Sequence, residues 1–149
     1  MKNNQIIRRF AACAVADTML LSLCACGAGK DGKDDTYKVA VVKQMDHASL
    51  DEIAKAITTQ LDSIAQEKNV TIEYEVYSGQ NDQSVLKQLG DQAIVDGVDA
   101  IIPIASTAAQ VMALCAQDTQ TPVVYAAVSD PKTAELTGLD YVTGTSDAL

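Results

Sequence analysis

Residues 121–131 read TPVVYAAVSDP. The run 122–128, PVVYAAV, carries no charge and no alternation of apolar with polar residues. A strand with one wet face alternates, whereas a strand covered on both faces is apolar throughout. The run therefore predicts a strand inside a sheet that has helices on both sides. It stops on Ser129, Asp130 and Pro131. Proline is favoured at the first position of a helix and aspartate at the cap before it. The ending predicts a strand-to-helix turn, with a short helix over 131–137.

The surrounding sequence repeats this alternation. KVAVV (38–42), VTIEYEVY (70–77), DAIIPIA (99–105) and YVTGTS (141–146) are short extended runs. Between them, Ser49–Glu67 places Leu50, Ile53, Ala54, Ile57, Leu61, Ile64 and Ala65 on one helical face. Ser49 and Glu52 have the spacing of a capping box. Gln83–Asp96 forms a second such face from Val85, Leu86, Leu89, Ala93 and Ile94, with Gly97 just past its end. Ser106–Asp118 predicts a third helix. The order β-α-β-α-β-α-β-α-β predicts an α/β fold: a mostly parallel five-stranded sheet with helices on both faces. Pro103 lacks a ladder donor and predicts a bulge or distortion in the third strand.

The chain has 149 residues, enough for one domain with a core. Twenty acidic residues against eleven basic ones give a net charge of −9. Trp is absent and Phe occurs once. Such a surface repels phosphate backbones and offers no stacking platform, which argues against nucleic-acid partners. His47 is the single histidine, so no His/Cys cluster predicts a metal. None of the strand-to-helix turns contains a GxGxxG or GxxxxGK[ST] element, and no cofactor is expected.

The first residues read differently. Lys2, Arg8 and Arg9 precede an apolar stretch, Phe10–Leu23, and Cys24-Ala25-Cys26-Gly27 follows. A basic start, an apolar middle and small residues at a cut predict a signal peptide over 1–25. Leu23-Cys24-Ala25-Cys26 has the form of a bacterial lipobox, with Cys26 as the lipidated residue. Polar, glycine-rich sequence to Thr36 predicts a tether over 26–36 and a folded domain over 37–149. The expected location is the extracytoplasmic face of the cell membrane, held by the lipid. Cys115 then stands alone and reads as a small core residue.

Ligands of open α/β sheets bind beyond the carboxyl ends of the strands. Here those turns are QMDHAS (44–49), SGQND (78–82), STAAQ (106–110), SDP (129–131) and GTSD (144–147). Ser106 reads as a helix cap, or as a cap that also contacts a ligand through hydroxyl and amide donors. Asp130 reads as a cap for a helix opening at Pro131. His47, beside Asp46 and Asp51, has no nucleophile motif with it and reads as a turn residue or polar contact. Asp147 pairs a ligand ammonium or simply ends a strand. The set is suited to holding a small polar molecule, and no catalytic residue is predicted.

Several blocks carry a resemblance: HASLDEIAKAI (47–57), SGQNDQSVLKQL (78–89), DAIIPIASTAAQ (99–110), TPVVYAAVSDP (121–131) and VTGTSD (142–147). From Lys38 onward the sequence resembles bacterial ABC-transporter substrate-binding lipoproteins of the tryptophan/tyrosine (aromatic amino acid) type. The family commonly has proline where Ala48 and Thr107 stand here, and threonine in place of Ser129. The resemblance implies a periplasmic-binding-protein-like (type I) lobe, one half of a two-lobed clamp. It implies an extracytoplasmic solute-binding component of an ABC importer, with permease and ATPase subunits as partners and a small molecule, an aromatic amino acid, as ligand. It implies that His47, Gln80, Asn81, Ser106, Thr107, Ser129, Asp130 and Asp147 line the cleft. Ser106 and Thr107 are the candidates for a ligand carboxylate, and Asp130 or Asp147 for an ammonium. The sequence ends where the backbone is expected to cross into a second lobe. It reads as a truncated first lobe with impaired binding. A membrane-tethered sensor lobe and an enzyme on a flavodoxin-like sheet are the alternative readings.

Overall fold

A computed structural model describes residues 35–146. The expected signal peptide, Cys26 with most of its tether, and Asp147 lie outside the described residues. The elements run β1 (Thr36–Lys43), α1 (Ala48–Lys68), β2 (Thr71–Ser78), α2 (Gln83–Val95), β3 (Ala100–Ile104), α3 (Ser106–Ala116), β4 (Val123–Val128) and β5 (Val142–Ser146). They form one five-stranded sheet in the order β2-β1-β3-β4-β5. All four strand pairs are parallel.

Alternation along the strands sorts the core onto two faces. Val39 and Val41 of β1, with Ile72, Tyr74, Ile102 and Ile104, pack against Leu50, Ile53, Ala54, Ile57 and Leu61 of α1. The intervening Ala40 and Val42, with Ile101 and Val123, pack against Leu86 and Ala93 of α2 and Ala108, Met112 and Ala116 of α3. The three-and-four spacing of those helical residues is what lets each helix lie flat on the sheet. α3 presents alanines at most of its buried positions. Helices thus cover both faces, as expected. On the α1 face, however, the cover stops at β3, apart from Ala127. Val124 of β4 is 38% exposed there, so the uniformly apolar β4 is not fully enclosed among the described residues.

α2 and α3 start where expected, at Gln83 and Ser106, and α1 starts one residue early. α1 opens at Ala48, with His47 as its cap: Ser49 N–H donates to His47 Nδ1 at 3.3 Å. Ser49 is inside the first turn and does not act as the cap. α2 opens after Asp82, which accepts from the amides of Ser84 (2.7 Å) and Val85 (3.2 Å). α3 is preceded by Ala105, and no side chain caps it. Ser106 is therefore the first helical residue and not the cap. The helix expected over 131–137 is a single turn. Asp130 accepts from the amides of Lys132 and Thr133, as a cap would. Glu135 then takes a positive φ of 55°, and Leu136 N–H returns to Pro131 O, which closes the turn.

The expected distortion at Pro103 is absent. Pro103 stays in register opposite Val42, and the register to β4 is the same before and after it. Ile101 and Ala105 both donate to β4, at Pro122 O and Ala126 O. Residue 103 shares their direction, so its missing donor costs one bond to β4 without shifting the strand. The irregularity lies in β4, where the four residues Tyr125–Val128 oppose the three residues Gly144–Ser146. Ala127 in that bulge has φ 54°.

Gly144 makes the bulge possible. A Cβ there would lie 2.1 Å from Tyr125 O, a backbone atom that cannot move aside. Gly144→Ala is expected to cost about 1–3 kcal/mol in urea unfolding and to raise amide exchange in β5 selectively. Parent-like stability would show that β5 is not held in this register.

Candidate functional site

Because the strands are parallel, all of them end at one edge, and backbone bonds tie the turns there together. Gly79 N–H donates to Lys43 O at 2.8 Å, and Asn81 N–H donates to Gln44 O at 2.9 Å. Gln44 N–H donates to Ile104 O at 3.2 Å, and its side-chain amide donates to Asn81 Oδ1 at 3.1 Å. Ala105 N–H donates to Ala126 O at 3.0 Å. The β1, β2, β3 and β4 turns are thereby one connected rim.

The predicted residues fall on this rim as follows. His47 is exposed and caps α1. Gln80 and Asn81 are exposed and left-handed, with φ 54° and 57°. Asparagine tolerates that conformation through local hydrogen bonds; glutamine does so less readily. Ser106 and Thr107 are half-buried in the first turn of α3. Ser129 and Asp130 are exposed after β4. Asp147 lies outside the described residues. Three grooves of about 630, 480 and 410 Å³ contain none of these residues. The largest lies against β2, where Glu75 accepts from the Tyr77 hydroxyl and pushes that phenol up to about 12. We place the candidate site at the rim because the connected turns and helix starts converge there, whereas the β2 groove holds no helix start.

The electrostatics of the rim are set by helix starts and carboxylates. The first amides of a helix have no partner within it and carry partial positive charge. α1 and α2 satisfy part of theirs with His47 and Asp82. α3 has no such side chain, and Ala105 before it sits at φ 80°, ψ 162°, a region that glycine alone enters freely. Asp130 is committed to its own turn: Oδ1 accepts from Lys132 N–H (3.0 Å) and Thr133 N–H (3.1 Å), and Oδ2 from the Thr133 hydroxyl (2.5 Å). The Thr133 hydroxyl is the main reason its carboxyl lies below the ordinary 3.8. Lys43, the last residue of β1, donates to Asp46 Oδ1 at 2.9 Å and to Asp51 Oδ1. Asp51, then Asp46, raises the lysine, and Lys43, then Ser78, lowers Asp46.

Sequence reasoning did not pick out Lys43, Gln44, Ala105 or Ala127. A signal existed only for Lys43: a lone cation closing an apolar strand, with acids three and eight residues on. No residue type announces a positive φ at alanine. Elsewhere, Cys115 is half-buried against α2, with Sγ 3.8 Å from Lys87 O. Burial first, and Asp91 second, push its thiol up, which suits packing better than nucleophilic attack. Among the described residues no group of three or more His, Cys, Asp or Glu is placed to hold a metal.

A sequence profile of the family described as ABC transporter substrate binding protein matches residues 38–149. No curated protein matches the chain. Among solved structures, the chain is similar to the ABC domain from Streptococcus pneumonia in complex with L-Trp. The two are 31% identical with a TM-score of 0.62, over 75% of this chain and 39% of that one. It is similar to a ligand-free, open substrate binding protein with adhesive properties from Clostridium difficile: 25% identical, TM-score 0.64, over 76% and 39% of the two chains. A leucine binding protein from Thermotoga maritima, 19% identical with a TM-score of 0.56 over 74% and 32%, shares the fold. The expected periplasmic-binding-protein-like lobe is the fold found. The chain spans about two fifths of the length of the first two structures.

Asp130 offers a direct check of the rim electrostatics. A carboxyl lowered on folding stabilises above its unfolded value, and the contribution is lost as pH falls through the folded value. By carbon-detected NMR, Asp130 is expected to titrate below 3.8, and Thr133→Val to move it upward. An unmoved titration in that variant would remove the hydroxyl as the cause.

Proposed function

The chain belongs to the family of ABC transporter substrate binding proteins, and from that premise we propose that its strand-end rim is one wall of a cleft for an aromatic amino acid. The family binds solutes and does not transform them. The observation that carries the reading is the uncapped start of α3. The other two helices that open on the same rim are closed by their own side chains. A free helix start flanked by the hydroxyls of Ser106 and Thr107 suits a ligand carboxylate. Asp130 or Asp147 would face the ammonium, and of the two Asp130 already spends both oxygens on its own turn. His47, Gln80, Asn81 and Ser129 would line the remaining rim. The similarity to a structure in complex with L-Trp supports the aromatic side chain.

A ligand pocket in a protein normally buries most of its ligand. The rim is one wall, so the 149-residue chain is expected to bind weakly. The proposed setting is an exported protein, lipid-anchored through Cys26 after removal of residues 1–25 and joined by a tether to Thr36. It would deliver solute to a permease driven by an ATPase.

Two measurements test this reading. In an NMR titration with L-tryptophan, the amides of Ser106, Thr107 and Ala108 are expected to shift, with a dissociation constant near about 1 mM or weaker. Ser106→Ala with Thr107→Ala is expected to weaken binding about fivefold, the worth of one or two hydrogen bonds. Shifts confined to Glu73, Tyr77 and Asp96 would overturn the site, and micromolar affinity would overturn the need for a second wall. For the anchor, Cys26→Ala is expected to move the protein from the membrane to the soluble fraction. Retention of that variant on membranes would rule out lipid at Cys26.

A further inference from the structure

The turn from β1 into α1 is held in an unusual way. From Met45 to Ala48 no backbone amide bonds to a neighbouring strand or turn among the described residues. The ladder contacts end with Gln44 N–H on Ile104 O, and the helix begins with Asp51 N–H on His47 O. The Lys43 ammonium links the two ends, shared between Asp46 of the turn and Asp51 of the first helical turn, with Ser78 also bonding Asp46. Exposed ion pairs usually contribute little, because both side chains must be immobilised and water screens them. Here the lysine side chain is only 12% exposed, while Asp46 and Asp51 are 71% and 54% exposed. The lysine side chain is largely covered in the assembled turn, so it has less freedom to lose than a fully exposed lysine. Without it, two like charges would flank His47.

We propose that Lys43 is a positioning residue for the rim: by holding Asp46 and Asp51 together it fixes the β1–α1 turn and the place of His47. The proposal rests on the reading of the rim as a binding wall. Its consequence for recognition is a division of labour. With two carboxylates on it, Lys43 is already neutralised and is a weaker partner for a ligand carboxylate than the uncapped start of α3.

The test is amide hydrogen exchange and NMR on the full chain, as parent, Lys43→Met and Lys43→Arg, with L-tryptophan as the probe. In Lys43→Met the hydrogen-bonded amides of Ser49 and Asp51 are expected to exchange about three- to tenfold faster, the scale of a shared exposed ion pair. Lys43→Arg should restore the parent rates, since a guanidinium can reach both carboxylates. Core amides at Val41 and Ile101 should be unchanged in both, which separates loosening of the turn from loss of the fold. L-tryptophan should shift the His47 ring signals in the parent, less in Lys43→Met, and again in Lys43→Arg. Unchanged exchange at Ser49 and Asp51 in Lys43→Met, or equal loss in both variants, overturns the positioning role whether or not L-tryptophan binds. Loosening as expected, with no L-tryptophan shift at the rim in any of the three proteins, overturns the binding-wall reading and with it the positioning of His47 for a ligand.

Discussion

The structure depends on the place of β1 between β2 and β3 in a wholly parallel sheet. Parallel neighbours need crossover connections, and those connections turn to the right. The chain leaves β1 in one direction to reach β2 and travels back across β1 to reach β3. The two crossover helices, α1 and α2, must therefore lie on opposite faces. Both begin at the edge where the strands end, and α3 begins there too. Three helix starts thus surround the end of β1, at the point where strand order reverses. Open α/β sheets bind ligands at such a point.

Within that arrangement the rim divides its charges. His47 and Asp82 close α1 and α2, Asp130 closes its own turn, and Lys43 is taken up by Asp46 and Asp51. The start of α3 has no side-chain cap. Strain gathers at the same edge. Ala105 and Ala127 hold positive φ values of 80° and 54°, which cost energy for a residue with a Cβ. Both stand where β3 and β4 give way to their turns. The bonding from Ala105 N–H to Ala126 O links those two turns, so the surrounding rim holds the strained backbone in place.

Much of this was legible residue by residue. The face of α1 could be read from Leu50, Ile53, Ala54, Ile57 and Leu61, because helical spacing is a local property. The end of α2 could be read from Gly97, whose φ of 67° suits glycine. The strand-end turns followed from element order; the eight cleft residues were named from the family resemblance, and seven of them lie in the described turns. The misreadings were of competition between neighbours. Ser49 and Ser106 both have cap chemistry, yet His47 and Ala105 occupy the cap positions. Pro103 looked like the disturbance in the sheet, yet the sheet absorbs one missing donor and bulges at Ala127 instead, where Gly144 lets the strands approach.

The amino-acid sequence by itself determined the periodicities, and these settle element type, element order and the existence of a parallel sheet covered by helices. They do so because side-chain burial on a helix or strand repeats with a fixed local spacing. Tertiary structure decided which backbone groups remain free, which alanines are strained, and which acids share Lys43. Those outcomes depend on distances between residues far apart in the chain, such as Gln44 and Ile104 or Tyr125 and Gly144. No local pattern encodes such distances; they are fixed only when the sheet registers are in place.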